Sequence, residues 1–556
     1  MNLEDNLFTR IYRRYNKADP RIVSLAVLVL YCILIIAGLL FHEQTPDEAK
    51  AWVIARDASY HDLFFLIPKY EGHPPFWHLL LSVPAKLGAD YVISMCIIQF
   101  ISAGLLCASF EFLTPFNNWV RTFVPFTYYF FYRWGIYQRP YALLAAGLVF
   151  ASFAYGKRRE KPLLFIASLA FLCLWSLYGI VLAGGIACAW LCEMCFESRK
   201  SGKGILSWIT ADGRRLAGLT VLLVFALFTI YLVIPAKDNY MYSAVKSPNV
   251  VLFLEHILKV LFILPSETFV TSFVGTGMFY SYEFNVVKTI VCVVVSLIYY
   301  SMVIMSAKRK TDIFYFAIPF LFFSIISSNY IYLHHFGILV FHTVFYLSIC
   351  SDNSGDTIRW SSFTMPKFLI SFVTCAVFCL IGIHWSLSSS ISDVMYECSC
   401  GEKLASFIKN NNLEELSLDC AWHTEIGSDG KVTVNVPDTG IYAFITATPY
   451  FSENMVRNSI DGKTYNLTVG YDESMVEEYM RKVNKEDSPQ LIYCFSEQLK
   501  DNYLYISGIY DIYYPVYYSI DSTPSKDKQY FYLGGILYAR SDIADKYDLN
   551  AVEIPK

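Results

Sequence analysis

The chain has 556 residues, of which 55% are hydrophobic, 17% aromatic and only 17% charged. A soluble protein carries about 25% charged residues, so an ordinary soluble fold is excluded. The formal net charge of −4 is near neutral for this length, and without an RNA- or DNA-binding signature nucleic acid is not expected as a partner.

Residues 1–21 hold Arg10, Arg13, Arg14, Lys17 and Arg21, and they precede a first apolar stretch over 22–41. A secretory signal peptide has an apolar core of about 7–15 residues and ends at a small-residue cleavage site. This stretch is longer and runs into His42-Glu43-Gln44 without such a site, so it is read as a retained span. A span needs roughly 20 apolar residues, somewhat fewer where helices are short or packed. Ten more are expected at 91–113, 119–134, 139–155, 162–177, 179–196, 216–234, 286–305, 313–330, 333–350 and 367–387, making about 11 transmembrane helices.

Charge sets the orientation. With the N-terminus inside, cytoplasmic loops carry Lys157, Arg158, Arg159 and Lys161, then Arg199, Lys200, Lys203, Arg214 and Arg215, then Lys308, Arg309 and Lys310. The opposite loops are longer and sparser in Lys and Arg. By the positive-inside rule the N-terminus is cytoplasmic, and external loops 42–90 and 235–285 and the C-terminus lie outside. Residues 22–387 thus form a transmembrane domain, and 388–556 an extracytoplasmic α/β domain.

Residues 54–87 alternate apolar patches with charges and prolines. Short helices along the outer membrane face are expected there, with Phe64, Phe65, Phe76 and Trp77 dipping into it. Gly184-Gly185 allows close helix packing. In the C-terminal region, 401–412 reads as a helix with Leu404, Phe407 and Ile408 on one face, and 474–483 as a second helix. Strands are expected at 431–436, 441–446 and 491–495, and the Tyr-rich run 503–518 reads as a strand rather than a sugar-stacking surface. Asn466-Leu467-Thr468 is a glycosylation sequon that matters in a eukaryotic source. Of the fifteen cysteines, only Cys398, Cys400, Cys420 and Cys494 lie in this polar region, and four cysteines allow three pairings between which sequence does not choose.

The chemistry concentrates in the first external loop. Thr45-Pro46-Asp47-Glu48 stands just beyond the first span, and Tyr70-Glu71-Gly72-His73-Pro74-Pro75-Phe76-Trp77 follows. Ionisable groups at a membrane boundary are costly to hold and mark functional sites. Transfer of a group onto a hydroxyl or amine needs a base for the acceptor proton, and Asp47 is placed for that task. Arg139 stands in Tyr137-Gln138-Arg139-Pro140-Tyr141, and taken by itself it reads as an interfacial anchor. His73 reads as structural or as part of a donor site. Tyr332-Leu333-His334-His335 places two histidines at the outer face, to hold a phosphate, to bind metal with Glu71 or His256, or to sit at the interface without a ligand.

The Asp-Glu pair beyond the first span, the Glu-Gly-His-Pro-Pro-aromatic run and the Arg-x-Tyr run together resemble the GT-C membrane glycosyltransferases. Within them the resemblance is to bacterial relatives of the dolichyl-phosphate-mannose–protein mannosyltransferases and to the lipid A aminoarabinose transferases. It implies an inverting glycosyltransferase of the bacterial plasma membrane, with its site facing outside. Its partners would be a polyprenyl-phosphate sugar donor, membrane lipid, and a glycan, lipid or protein acceptor. Asp47 would be the catalytic base, and Glu48, Glu71, His73, Arg139, Tyr141, His334 and His335 would surround the donor and its phosphate. A divalent metal is conceivable at Glu71, but none is predicted, and the cofactor is left unknown. Gln138 stands where relatives often carry an acid, and Leu333-His334-His335 where many carry an Arg-Tyr pair. A transporter or flippase of lipid-linked glycans is the alternative from another class; its sites usually lie at mid-membrane. A glycan polymerase or ligase is a further alternative.

Overall fold

The computed structural model describes residues 14–202, 204, 212–237, 250–272, 278–279, 285–328, 331–351, 367–396, 399, 401–420, 423–426, 432–435, 444–453, 455, 490–495, 513–519 and 535–552. In chain order the helices are α1 (Pro20–Phe41), α2 (Pro46–Asp57), α3 (Tyr60–Phe65), α4 (Pro68–Glu71), α5 (Phe76–Lys86), α6 (Tyr91–Leu113) and α7 (Asn118–Phe123). Then come α8 (Tyr141–Gly156), α9 (Pro162–Leu172), α10 (Leu177–Lys200), α11 (Gly213–Val233), α12 (Val250–Phe262), α13 (Val286–Ser306), α14 (Phe314–Ser327), α15 (Gly337–Ser351) and α16 (Lys367–Met395).

Among the described residues, eight stretches are long and apolar enough to cross a membrane. They are α1, α6, α10, α11, α13, α14 and α15 with the turns before them, and the Ala376–Met395 part of α16. The chain is a mostly helical integral membrane protein. α8 and α9 are apolar but shorter. α1 shows how the outer faces meet lipid: Ile22, Leu25, Ile33 and Leu40 are exposed while Tyr31 and Ile35 are fully buried.

One expected span is not a single helix. Residues 119–134 divide into α7, a 3-10 turn Val124–Phe126 and a π-helix Tyr129–Ile136. Pro125 sits at this break, where it offers no N–H and interrupts an α-helical ladder. The π-helix packs its aromatics inward, and Tyr128 stacks on Trp385 of α16 with ring centroids 3.8 Å apart. α12, a 13-residue apolar helix, lies in what was expected to be loop. Gly185 allows the close approach anticipated for it: a Cβ there would fall 2.5 Å from the Pro319 Cα of α14.

Basic loops meet at one end. Arg158 and Arg309 both pair with the buried Glu193, at 2.6 and 3.0 Å, and the Tyr315 hydroxyl donates to it at 2.6 Å. Arg309 also bonds Tyr155, near the C-terminus of α8, while Tyr141 begins α8 at the opposite end, about 1.5 Å per residue away along the axis.

Residues 42–90 fold as α2 to α5, the short helices expected, but with a different aromatic pattern. Trp77 is turned inward and is 3% exposed, so it does not reach lipid, because α5 packs its buried face against α2. Phe65 remains exposed.

The C-terminal region has its own core. Helix α17 (Gly401–Asn410) buries Leu404 and Ile408, with Phe407 half-buried against Tyr517. It packs beside a four-stranded sheet of order β1-β4-β6-β5, formed by β1 (Leu418–Cys420), β4 (Leu491–Phe495), β5 (Tyr513–Ser519) and β6 (Gly535–Arg540). β1 and β4 are parallel and the other pairs antiparallel. A hairpin of β2 (His423–Ile426) and β3 (Val432–Asn435) lies beside it in sequence. Residues 444–450 are helical turns rather than the end of an expected strand. The expected helix 474–483, the sequon, residues 441–443 and 503–512, and the Cys398 and Cys400 positions lie outside the described residues, as do the side chains of Cys420 and Cys494. The Arg56 guanidinium bonds the carbonyls of Thr448 and Phe451, and Tyr91 meets Tyr450 edge-on, so this region sits against α2 and the start of α6.

Candidate functional site

The site begins where α1 ends. Pro46 occupies the first turn of α2 and Thr45 caps it in a capping box with Glu48, the spacing that satisfies orphan N–H groups at a helix start. Asp47 and Glu48 therefore point in different directions from adjacent positions. The Asp47 side chain is 55% exposed, with the Arg139 Nη1 3.7 Å from its Oδ2. That nitrogen also donates to the Asp47 carbonyl at 3.0 Å.

Glu48 was expected beside the donor; the structure buries it completely. Its Oε2 accepts from the Thr45 backbone N–H and hydroxyl, both at 2.7 Å, and its Oε1 from the Gln138 N–H at 2.5 Å. The His42 Nε2 lies 3.1 and 3.2 Å from its two oxygens. Burial alone would raise the Glu48 pKa, but the His42 imidazolium and these donors hold it down to about 2. His42 is its counterpart: burial works against its charge, and Glu48 and Asp393 outweigh that and raise it to about 10.

Glu71 ends α4 and pairs with Lys50 of α2 at 2.8 Å. Burial would raise the Glu71 pKa, yet Lys50, aided by His78, brings it to about 2. Gly72 follows in the left-handed region at φ +64°, a turn that glycine adopts without Cβ strain, and it swings His73 toward α8. The His73 ring lies 6.2 Å from that of Tyr141, edge to face. Burial pushes the His73 imidazole well below its usual range and Arg139 adds to the effect. His78 on α5 is pushed down by burial to about 4.

Tyr141 stacks on Trp134 at 5.3 Å, and its hydroxyl lies 3.0 Å from the His335 Nε2. His335 accepts at Nδ1 from the Tyr332 N–H at 3.0 Å, and His334 crosses it with ring centroids 3.9 Å apart. Every residue anticipated for the site thus falls in one neighbourhood, on α2, the α4–α5 turn, the start of α8 and the turn before α15. His256 does not join them; its Nδ1 bonds the Ser328 carbonyl at 2.7 Å. Among the described residues, no three His, Cys, Asp or Glu side chains gather as a metal would require.

His42, Lys50, His78 and Asp393 were not anticipated. Lys50 carried a readable signal, three residues after Asp47 on a helix and so on a neighbouring face. His42 and Asp393 carried none, because their contact spans 351 positions.

These pairings set a pH profile for stability. His42 titrates higher in the fold than its ordinary 6.5, so its contribution is complete below 6.5 and is lost as pH rises toward about 10. His78 titrates lower, at about 4, so stability falls as pH drops below 6.5 and the unfolded chain takes up the proton. Glu48 adds a loss only between its ordinary 4.5 and about 2. Thermal unfolding in detergent is expected to be highest near pH 6.5 and to fall on both sides; a midpoint still rising at pH 9 would contradict these assignments.

No protein-family model matches the chain, and no curated protein matches it. Among solved structures it is similar to the crystal structure of ArnT from Cupriavidus metallidurans bound to undecaprenyl phosphate, at 12% identity and a TM-score of 0.46. That similarity covers 93% of this chain and 97% of the other. So loose a likeness assigns no activity, and the functional reading rests on the residues of the site.

Proposed function

We propose that the protein is an inverting glycosyltransferase that moves a sugar from a polyprenyl-phosphate donor to an acceptor outside the cytoplasm. The observation that carries this reading is the split between adjacent carboxylates. Glu48 is fully buried and occupied by donors on both oxygens, whereas Asp47 stands half-exposed with Arg139 beside it. A general base must be within reach of the proton it takes, and of the two only Asp47 is accessible.

In this reading the Asp47 carboxylate accepts the proton of an acceptor hydroxyl. The acceptor oxygen forms its bond to the anomeric carbon from the face opposite the lipid phosphate. The bond from that carbon to the phosphate oxygen breaks, and its electron pair leaves with the phosphate. Arg139 stabilises the charge that develops there, with its planar donors matched to phosphate oxygens. His73 and His78 stay neutral at physiological pH and so add hydrogen-bonding capacity without charge. Glu71 holds Lys50 in place. The Asp-Glu and Glu-Gly-His-Pro-Pro runs, which resemble GT-C motifs, support the same assignment.

Direct displacement requires the product to carry the anomeric configuration opposite to the donor's. Incubation of the protein in nanodiscs with a polyprenyl-phosphate sugar of known anomer is expected to give the inverted product by NMR. A retained configuration would rule out the single-displacement mechanism.

A further inference from the structure

His42 and Asp393 lie outside the group of residues that face the proposed reaction, yet they join it from behind. The His42 ring sits between two carboxylates, with Nε2 3.1 Å from Glu48 and Nδ1 3.4 Å from Asp393. Both ring nitrogens donate only when the imidazole is protonated. The other oxygen of Asp393 accepts from the Tyr132 hydroxyl of the π-helix at 2.7 Å. On the near side, Glu48 reaches the Gln138 N–H at 2.5 Å. One buried polar chain thus ties together the end of α1, the start of α2, the turn before α8 and the end of α16.

Its placement is informative. Glu48 is the backbone neighbour of Asp47, and Gln138 is the backbone neighbour of Arg139. The two anchors are therefore each one residue from the two groups that would perform the transfer. Asp393 lies near the end of α16, and a few residues on the Ser399 N–H donates to Glu43 at 2.6 Å, which closes a second tie between the C-terminal segment and the same loop.

We propose that His42 and Asp393 are positioning residues, clamping Glu48 and Gln138 so that the end of α16 fixes the distance between Asp47 and Arg139. This rests on the glycosyltransferase reading above. On it, the C-terminal region acts on catalysis through its root in α16 as well as through any contact with acceptor.

The test uses the full-length protein in lipid nanodiscs with a polyprenyl-phosphate sugar as donor. Displacement of a reacting group by about 1 Å costs up to roughly 100-fold in rate, so Asp393→Asn is expected to lower kcat about tenfold to 100-fold while donor KM stays within about twofold. Asp393→Glu, which keeps the carboxylate, is expected to recover part of the rate. His42→Gln combined with Asp393→Asn is expected to be no slower than the worse single variant, because both break the same chain.

The pH profile gives a second mark. Among the described residues, the groups facing His42 are Glu48 from α2, Asp393 from α16 and the Tyr137 ring 4.7 Å away. Loss of one carboxylate lets the imidazolium shed its proton at lower pH, so the alkaline limb of kcat is expected to move down in Asp393→Asn. A folded Asp393→Asn protein with wild-type kcat and only a lower melting temperature would overturn the proposal, and so would a raised donor KM with unchanged kcat.

Amide hydrogen exchange reads the clamp without reference to activity. Faster exchange at Thr45 and Gln138 in Asp393→Asn is expected, and unchanged exchange there would overturn the clamp even if the enzyme is active. If wild type transfers no sugar from any such donor, the functional reading fails separately, and the exchange result still decides the clamp.

Discussion

Asp47→Asn is expected to insert and fold as wild type does, while sugar transfer falls by about 10²–10⁴-fold, the usual contribution of a positioned base. The amide keeps the size and shape of the carboxylate but does not take a proton. The fold has little stake in this side chain, because it is 55% exposed and, among the described residues, its close charged partner is Arg139 at 3.7 Å. The Arg139 bond to the Asp47 carbonyl is untouched by the substitution. The capping of α2 depends on Thr45 and Glu48, so the helix start survives. Steady-state kinetics on protein with a wild-type melting curve should therefore show the loss in kcat. A variant that transfers at more than a tenth of the wild-type rate would remove Asp47 from the role of base.

Arg139→Gln is expected to raise donor KM by roughly 30-fold or more, since truncating one member of a buried charge pair costs about 2–5 kcal/mol. The guanidinium is 15% exposed, and its charge lies close enough to contribute to the fields at Glu71 and His73. Arg139→Lys is expected to restore only part of the affinity, because an ammonium is a point charge and lacks the planar fork. Donor titration with each variant separates this from an interfacial role. An anchor at the membrane surface would change expression or insertion and leave donor KM where it was.

How much of this was legible in the chain follows from the range of each interaction. Thr45, Pro46 and Glu48 form a capping box of the spacing that marks a helix start, whereas the family resemblance places Glu48 beside the donor. The structure buries this carboxylate, with donors on both of its oxygens. Pro125 in the run 119–134 was equally visible, and it breaks the helix there as a proline in a helix interior does. The gathering of Glu71, His73, Arg139 and Tyr141 came through motif resemblance, and that of His334 and His335 through a departure from it; local periodicity would not have produced either. Trp77 was misplaced because an aromatic near a membrane reads as interfacial, while the face of α5 that turns inward depends on where α2 packs. Asp393 was beyond reach for the same reason: its partner lies 351 residues away, and an isolated acid near the end of an apolar helix looks like a boundary charge.

The central claim is sugar transfer from a lipid-linked donor with Asp47 as base. Its most direct test is transfer of radiolabelled sugar from polyprenyl-phosphate donors in membranes carrying either wild type or Asp47→Asn. Label is expected to move to acceptor with wild type and not with the variant. Transfer is contradicted if wild type moves no label from any such donor while lipid-linked glycan changes leaflet only when wild type is present, which would make the protein a carrier.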